Sequence, residues 1–272
     1  MIETQYFFEP NYVTSLLFFV AFLEGSLAIV LFHGSKEIST RAFSSAVFFT
    51  MLWTIFLGFH IAFPQQDTAI TGTQWYLEFV ADILHLWGVG VVFSIFYFCL
   101  TFLNEEKRYP TVFGALIAVA VVTAPLHFLG VFINESTIWW GTTQLGIGNV
   151  WEWNFGSFNL FYDIFFLGLP MVGNGFLLYR IWNIKELVKR KSLFAMFLVF
   201  TIGFIPSALG SVVLPNYFGI HQFHWMGGLT HVVWVSIAAY SIVKYNQMNV
   251  RYVITELLIL AAMGLLFLSI FI

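Results

Sequence analysis

The sequence of 272 residues alternates between eight long hydrophobic stretches and short polar gaps. The stretches, numbered one to eight in chain order, cover residues 12–33, 42–63, 75–102, 111–132, 156–182, 192–214, 225–245 and 253–272. Each has about 20 residues or more, which lets an α-helix cross ~30 Å of hydrocarbon. Backbone polar groups in lipid must be hydrogen-bonded within their own segment, so each stretch predicts a helix. The pattern predicts an all-α fold: a polytopic membrane helix bundle with a seven-helix core and an eighth C-terminal transmembrane helix.

The basic residues follow the same alternation. Lys and Arg occur in or beside the gaps after stretches one, three, five and seven, and in no other gap: Lys36, Arg41, Lys107, Arg108, Arg180, Lys185, Lys189, Arg190, Lys191, Lys244 and Arg251. Cytoplasmic loops retain basic residues, so these gaps are predicted to be cytoplasmic and the N-terminus to be outside. The expected location is an inner or plasma membrane, crossed several times.

Three regions are expected along the chain. Residues 1–11 form an extracytoplasmic N-terminal tail, and residues 12–245 form the seven-helix bundle. Residues 246–272 hold a short cytoplasmic gap and the eighth transmembrane helix. The chain ends within an apolar run that has no polar flank, which suggests the hypothesis that a C-terminal portion is missing. The gap at 133–155 is rich in tryptophan, so we expect it to lie at the headgroup level of the outer surface.

Composition narrows the function classes. The chain is 60% hydrophobic and 9% charged, so no soluble domain is expected. Topology explains the basic gaps, and no nucleic-acid partner is expected. A single cysteine, Cys99, allows no disulfide and no cysteine-based metal site within one chain. The motifs of a nucleophile elbow, a P-loop and a zincin are missing from the sequence. We therefore predict no catalytic residues and no enzymatic activity for this chain.

Ionisable residues inside the stretches gather toward the predicted outer surface. Glu78, Asp82 and His85 are spaced by four and three residues, which places them on one face of a helix. Together with residues of stretches two, five and seven they define the outer polar set: His60, Glu78, Asp82, His85, Asp163 and His231. Such groups cost ~2–3 kcal/mol each inside the hydrocarbon, so they should face the bundle interior and pair there. Glu24, near the middle of stretch one, lies apart from this set, as do His33 and Glu256.

Three uses of the outer polar set are open. It could bind a small extracytoplasmic ligand between aromatic walls formed by Trp87, Tyr162 and Trp234. It could ligate a divalent metal through His60, Asp82, His85 and His231, since imidazole and carboxylate are suitable ligands. It could also be a hydrogen-bond network that only holds the helices in register. Haem would need a facing histidine pair, for which His85 and His231 are the plausible choice. We predict no cofactor and no metal, and favour the ligand.

The region from about residue 155 to 252 contains several motifs that are similar to those of a known protein family. It contains Gly203 and Pro206 in stretch six, Leu214–Ile220 (LPNYFGI) after it, and Ala238–Val250 (AAYSIVKYNQMNV) closing stretch seven. This resembles the N-terminal seven-transmembrane sensor region of many bacterial and archaeal histidine kinases. In that family the seventh helix typically closes with a segment of the type A-Y-A-I-x-K-Y-x-L-x-D-I. Here Ser241 stands for the usual alanine and Asn249 for the usual aspartate.

The resemblance implies a prokaryotic sensory module of a two-component system. Its signal would pass from helices six and seven, through Pro206, Tyr240, Lys244 and Tyr245, to a cytoplasmic signalling domain or partner subunit. That effector is usually a histidine kinase, and no kinase motif exists in these residues. Membrane lipids and a small molecule are the other expected partners, and the module could act as a homodimer.

Two other functions compete with the receptor. A transporter or channel component would use the same polar residues as a path, but these residues thin out toward the cytoplasmic half, whereas conduction needs a path through both leaflets. A non-catalytic structural subunit of a larger membrane complex would use its many aromatic side chains for packing. The sequence thus favours a receptor.

Overall fold

The computed structural model describes residues 12–34, 36–62, 74–103, 133–139, 150–155 and 159–218, with shorter pieces at 111, 114, 117–119, 220, 223, 227–228, 230–231 and 234. Side chains are described for most of these residues. The exceptions are 12–13, 60–62, 74–78, 81–82, 133–139, 150–155, 159–162, 188, 192 and 215–216.

Helices occupy the predicted hydrophobic stretches one, two, three, five and six. They are α1 (Tyr12–Gly34), α2 (Ile38–Ala62), α3 (Gln74–Phe102), α4 (Asn159–Asn183) and α5 (Leu187–Ala208). Each contains a segment of at least 20 residues that is apolar enough to cross a membrane. The predicted long apolar helices are therefore confirmed for these five stretches, and they are compatible with a multi-pass membrane protein. Most of stretches four and seven and all of stretch eight lie outside the described residues, so a total of seven or eight crossings stays a prediction.

A short β-hairpin lies between α3 and α4, where the sequence predicted only an interfacial loop. Strand β1 (Ile133–Trp139) pairs antiparallel with strand β2 (Val150–Phe155), from Ile133 opposite Phe155 to Trp139 opposite Val150. The strand sequences INESTIW and VWEWNF are rich in β-branched and aromatic residues, which favour a pleated surface.

Side-chain contacts determine the direction in which neighbouring helices run. Along α1 and α2 the contacting pairs are Phe18–Phe59, Gly25–Met51 and Ala28–Ser44. The residue number falls in α2 as it rises in α1, so these helices are antiparallel. The same test makes α2 antiparallel to α3 and α4 antiparallel to α5, through Phe43–Phe98, Phe49–Trp87, Phe166–Phe204 and Asn174–Thr201. Helices α3 and α4 are parallel, through Phe93–Phe165 and Cys99–Gly173.

These directions bring the basic residues of the described part to one end of the bundle. The α1–α2 connection, the end of α3 and the α4–α5 connection all lie at that end. The basic side chains there are exposed or partly exposed: Lys36, Arg41, Arg180, Lys185, Lys189, Arg190 and Lys191. The structure thus gathers these seven charges as the positive-inside pattern requires.

Aromatic packing forms the core around which the helices assemble. Phe43 of α2 and Phe98 of α3 are fully buried, with ring centroids 5.2 Å apart. Trp234, from predicted stretch seven, lies between Phe43 and Phe200 with centroid distances of 6.0 and 5.9 Å. A Cβ at Gly203 of α5 would collide with the Trp234 side chain, so this glycine permits the close approach.

The C-terminal end of α5 departs from regular α-helix just after Pro206. Residues Leu209–Val213 form a π-helical segment, and the short helix α6 (Leu214–Phe218) follows. Proline has no N–H and its ring crowds the preceding turn, so local rewinding is expected near it. The N–H of Leu209 bonds to the carbonyls of both Ile205 and Pro206. π-Helical turns often occur at functional sites.

Candidate functional site

The closest approach of buried acid and imidazole in the described residues joins α1 to stretch seven. Oε1 of Glu24 lies 4.0 Å from Nδ1 of His231, and the two side chains are 2% and 7% exposed. Two glycines bring stretch seven this close: a Cβ at Gly227 would meet Trp53 and one at Gly228 would meet Leu17. The small residues therefore let His231 reach the middle of the bundle.

Helices α2 and α5 complete the surroundings of His231. Oγ of Ser207, one residue after Pro206, lies 3.4 Å from Nε2 of His231, within hydrogen-bond reach. The indole of Trp53 packs on the imidazole with ring centroids 4.9 Å apart. We call Glu24, Trp53, Thr54, Ser207 and His231 the central cluster, and all five side chains are buried.

Several polar atoms of the central cluster have no hydrogen-bond partner within the described part of the chain. They are both carboxyl oxygens of Glu24, Oγ1 of Thr54 and Nδ1 of His231. The Thr54 hydroxyl interacts with the Glu24 carboxyl, but the two lie outside hydrogen-bond geometry. Buried polar groups without partners are costly, and the cost rises in a medium of low dielectric constant. Within the described residues, these four atoms of the central cluster are therefore buried without a hydrogen bond.

A small cavity borders the cluster. It is lined by His231 and Ser207 together with Val91, Ile95, Phe166, Phe200, Phe204 and Trp234. Its volume, counted as the space open to the centre of a water-sized sphere, is about 20 Å³. A single water needs ~10–15 Å³ by this measure. The cavity can hold water but not an organic ligand.

A second buried carboxyl lies at the opposite end of the bundle from the basic residues. Asp163, in the first turns of α4, is 1% exposed and accepts a hydrogen bond of 3.1 Å from the Tyr217 hydroxyl of α6. Burial, and then the charge of Asp163 and this hydrogen bond, raise the pKa of Tyr217 above its ordinary value of 10.0. The contact fastens α6 to the start of α4.

The other residues predicted for the site fall into two groups. His85 on α3 and Trp234 are buried, Trp87 on α3 is partly buried, and Pro206 lies inside α5. None of His85, Asp163 and Trp87 lines the cavity beside the central cluster. The side chains of His60, Glu78, Asp82 and Tyr162, and residues Tyr240, Lys244 and Tyr245, lie outside the described residues. Their roles stay predictions.

The described part of the chain shows no group of side chains arranged as a metal site. No group of three or more His, Cys, Asp and Glu side chains there is placed to hold an ion. Two of the four side chains considered as metal ligands, those of His60 and Asp82, are not described.

Glu24 is the residue of this cluster that the sequence does not place in the site. Its position near the middle of stretch one separates it from the outer polar set, and the structure brings its carboxyl to 4.0 Å from His231, a member of that set. A carboxyl near the middle of a membrane helix is itself a functional signal, since it is costly there unless it faces a partner. That signal was present in the sequence, but its partner was not identifiable from spacing.

The sequence matches no model of a protein family and no curated protein. The assignment of function therefore depends on the residues and contacts of the chain itself.

Proposed function

We propose that this chain is a membrane-embedded receptor module. In this proposal a small extracytoplasmic ligand binds among the outer polar set, and the signal passes through α5 and stretch seven to a cytoplasmic effector. The observation that carries the proposal is the contact of Glu24 with His231, which ties α1 to stretch seven by polar groups that are incompletely bonded.

Incomplete bonding is what makes this contact suitable for signalling. A fully bonded network would hold the helices in one arrangement, because breaking it would leave several buried groups without partners. The central cluster already carries the cost of buried groups without hydrogen bonds. A change to an alternative packing of stretch seven therefore costs less free energy than it would in a fully bonded network. A ligand can shift such an equilibrium only through its different affinity for the two arrangements. A modest difference in affinity would be enough to shift the equilibrium of this bundle.

The neighbouring backbone offers a place for the movement. Ser207, which contacts His231, lies between Pro206 and the π-helical segment Leu209–Val213. A shift of His231 therefore acts on the part of α5 where regular helical bonding is already interrupted. Trp234 packs against Gly203 of the same helix, so α5 and stretch seven would move together.

The ligand itself is proposed to bind nearer the predicted outer surface. The cavity beside the central cluster is too small for it. His60, Glu78 and Asp82 remain the proposed contacts, with His85 and Asp163 below them. In this arrangement the central cluster transmits the signal and does not bind the ligand.

A chimera tests this proposal. The chain is fused to the catalytic region of a histidine kinase, and a transcriptional reporter is followed against a panel of small molecules, with membrane levels measured by blotting. We expect Asp82→Asn, His85→Gln and His231→Gln to change the response while the protein still inserts. Gly175→Ala, on the exposed face of α4 where an added Cβ meets nothing, is the matched control and should respond normally.

Three outcomes would overturn the receptor. An unchanged response in all three variants, for every active molecule, would remove the outer polar set from signalling. Solute flux through proteoliposomes of the purified chain would favour a transporter or channel component instead. Stable co-purification with other membrane subunits, without any ligand effect, would favour a structural subunit.

A further inference from the structure

We infer that Glu24 and His231 together form a site that binds one proton in the interior of the bundle. This inference does not depend on the receptor function, because it concerns only the ionisation of the pair. The ligand is the proton, delivered by water, and the site atoms are Oε1 of Glu24 and Nδ1 of His231, 4.0 Å apart.

The number of protons follows from what surrounds the pair. With no proton beyond that of neutral imidazole, a buried carboxylate would have no hydrogen-bond donor in the described residues, since the Thr54 hydroxyl lies outside hydrogen-bond geometry. With two added protons, an imidazolium on His231 would face an uncharged carboxylic acid on Glu24. Either state leaves one buried charge uncompensated, which is strongly unfavourable. One proton gives an ion pair or two neutral groups, and both avoid an isolated charge.

No other ionisable side chain of the described residues shares this site. Toward the pair, α2 presents Trp53 and Thr54, and α5 presents Ser207. The cavity walls from α3, α4 and α5 are apolar apart from Ser207: Val91, Ile95, Phe166, Phe200 and Phe204. The remaining buried ionisable groups of the described part, His85, Cys99 and Asp163, do not line this cavity. The proton therefore belongs to Glu24 and His231.

The cavity gives the proton a route. It has room for a water next to Ser207 and to His231, whose Nε2 is 3.4 Å from the serine hydroxyl. Imidazole can accept a proton on one nitrogen and release one from the other. A hydronium ion in the cavity would protonate Nε2 and become water. The proton on Nδ1 would then pass to Oε1 of Glu24, so that the imidazole ends neutral in its other tautomer.

The transfer requires a small movement. Proton transfer between heavy atoms needs a separation of about 2.6–3.2 Å, and the present distance is 4.0 Å. Oε1 of Glu24 and Nδ1 of His231 must therefore approach each other while the proton moves, through rotation of the two side chains or a shift of stretch seven.

Proton counting on the purified chain in nanodiscs at neutral pH tests the inference. Infrared spectra with ¹³C-labelled glutamate carboxyls detect a protonated Glu24, and NMR of ¹⁵N-labelled histidine detects an imidazolium at His231. We expect the two signals together to account for one proton per chain. Either a protonated-glutamate band is lost in Glu24→Gln but kept in Asp163→Asn, or an imidazolium signal is lost in His231→Gln but kept in His85→Gln.

Signals that account for two protons per chain, or for none, in the wild type would overturn the inference. If Glu24→Gln does not fold, Glu24→Asp replaces it, since the acid band then moves from the labelled to the unlabelled frequency. The outcome is separable from that of the receptor test. The proton count is measured without any effector, and the chimera's response is measured without reference to the proton count.

Discussion

Two buried carboxyl groups of this bundle are held in opposite ways. Asp163 accepts a hydrogen bond from Tyr217, whose side chain is 54% exposed, so this carboxyl is linked to the surface. Glu24 has no hydrogen bond within the described residues and faces an imidazole 4.0 Å away in the interior. The first arrangement, in which Asp163 is hydrogen-bonded to Tyr217, suits a structural anchor between α4 and α6. The second stores unfavourable energy at a helix contact, which is more typical of a site that changes state.

The largest expected difference between the two regions is in stability. His231→Ala removes the only ionisable group seen near Glu24 in the described residues and opens space against Trp53 and Ser207. Removing one partner of a buried pair costs about 3–5 kcal/mol. Asp163→Ala should cost less, ~1–2 kcal/mol, because the exposed Tyr217 hydroxyl can bond to water instead. Unfolding of both variants in nanodiscs, followed by tryptophan fluorescence, measures the difference. An Asp163 variant as unstable as the His231 variant would erase the contrast.

Replacing both members of each pair sharpens the comparison. Glu24→Leu with His231→Phe exchanges the unsatisfied groups for apolar ones of similar size. Such replacements of buried ionic pairs are often neutral or stabilising by about 1–4 kcal/mol. We expect this double variant to unfold no more easily than the wild type while losing both the proton signal and the response of the chimera.

The matched double variant is Asp163→Leu with Tyr217→Phe. It breaks a satisfied hydrogen bond, so it should be destabilised, and it should keep the proton signal. The reverse ranking of the two double variants in the same unfolding assay would show that the central cluster stabilises the fold.

Packing next to the two carboxyls provides a third contrast. A Cβ at Gly203 would meet the Trp234 indole beside the central cluster, whereas one at Gly168, just beyond Asp163 on α4, would meet nothing. Gly203→Ala should therefore cost ~1–3 kcal/mol through overpacking. Gly168→Ala should be neutral or stabilising by up to ~1 kcal/mol, since alanine favours helix over glycine. Equal unfolding midpoints for the two variants would contradict the close contact.

The helices were predictable because long apolar runs have few alternatives in a membrane. Stretch one was placed at 12–33 and α1 spans Tyr12–Gly34, and stretch three at 75–102 became α3, Gln74–Phe102. The error is larger for α5, predicted from 192 but beginning at Leu187. Lysine and arginine form helices well, so charged residues at the end of an apolar run extend the helix beyond it.

The site was less predictable, for a physical reason. The spacing of residues within one helix reveals which side chains share a face, but not how far a neighbouring helix is shifted along its axis. Gly227 and Gly228 set that shift for His231 by allowing contact with Trp53 and Leu17. The pairing with Glu24 is a consequence of that packing, and no pattern in stretch one or stretch seven alone contains it. The pairing of β1 with β2 is not predicted either, since the tryptophans of these segments also suit an interfacial loop.

The smallest expected effect concerns the anchored carboxyl and its dependence on pH. Tyr217→Phe removes one hydrogen bond from an exposed phenol, which should cost only about 0.5 kcal/mol at neutral pH. Partial desolvation, the charge of Asp163 and their hydrogen bond raise the pKa of Tyr217 above 10.0. A group whose pKa is raised on folding contributes its stability below its unfolded pKa and loses it as the pH rises through the folded value. The contribution of Tyr217 should therefore be constant below about pH 10 and disappear above it.

Subtracting the variant from the wild type isolates this effect, because the other tyrosines and lysines titrate in both. The difference in unfolding free energy should be flat from pH 7 to 9 and then fall toward zero. A difference that rose with pH below pH 10 would mean that the phenol loses its proton more easily in the folded chain, because a pKa lowered on folding adds stability as the pH rises through it. The negative charge on Asp163 opposes such a lowering. Such a result would imply that Asp163 is itself uncharged. The contrast would then disappear, because both buried carboxyls could carry a proton, and the anchor would be a second proton site.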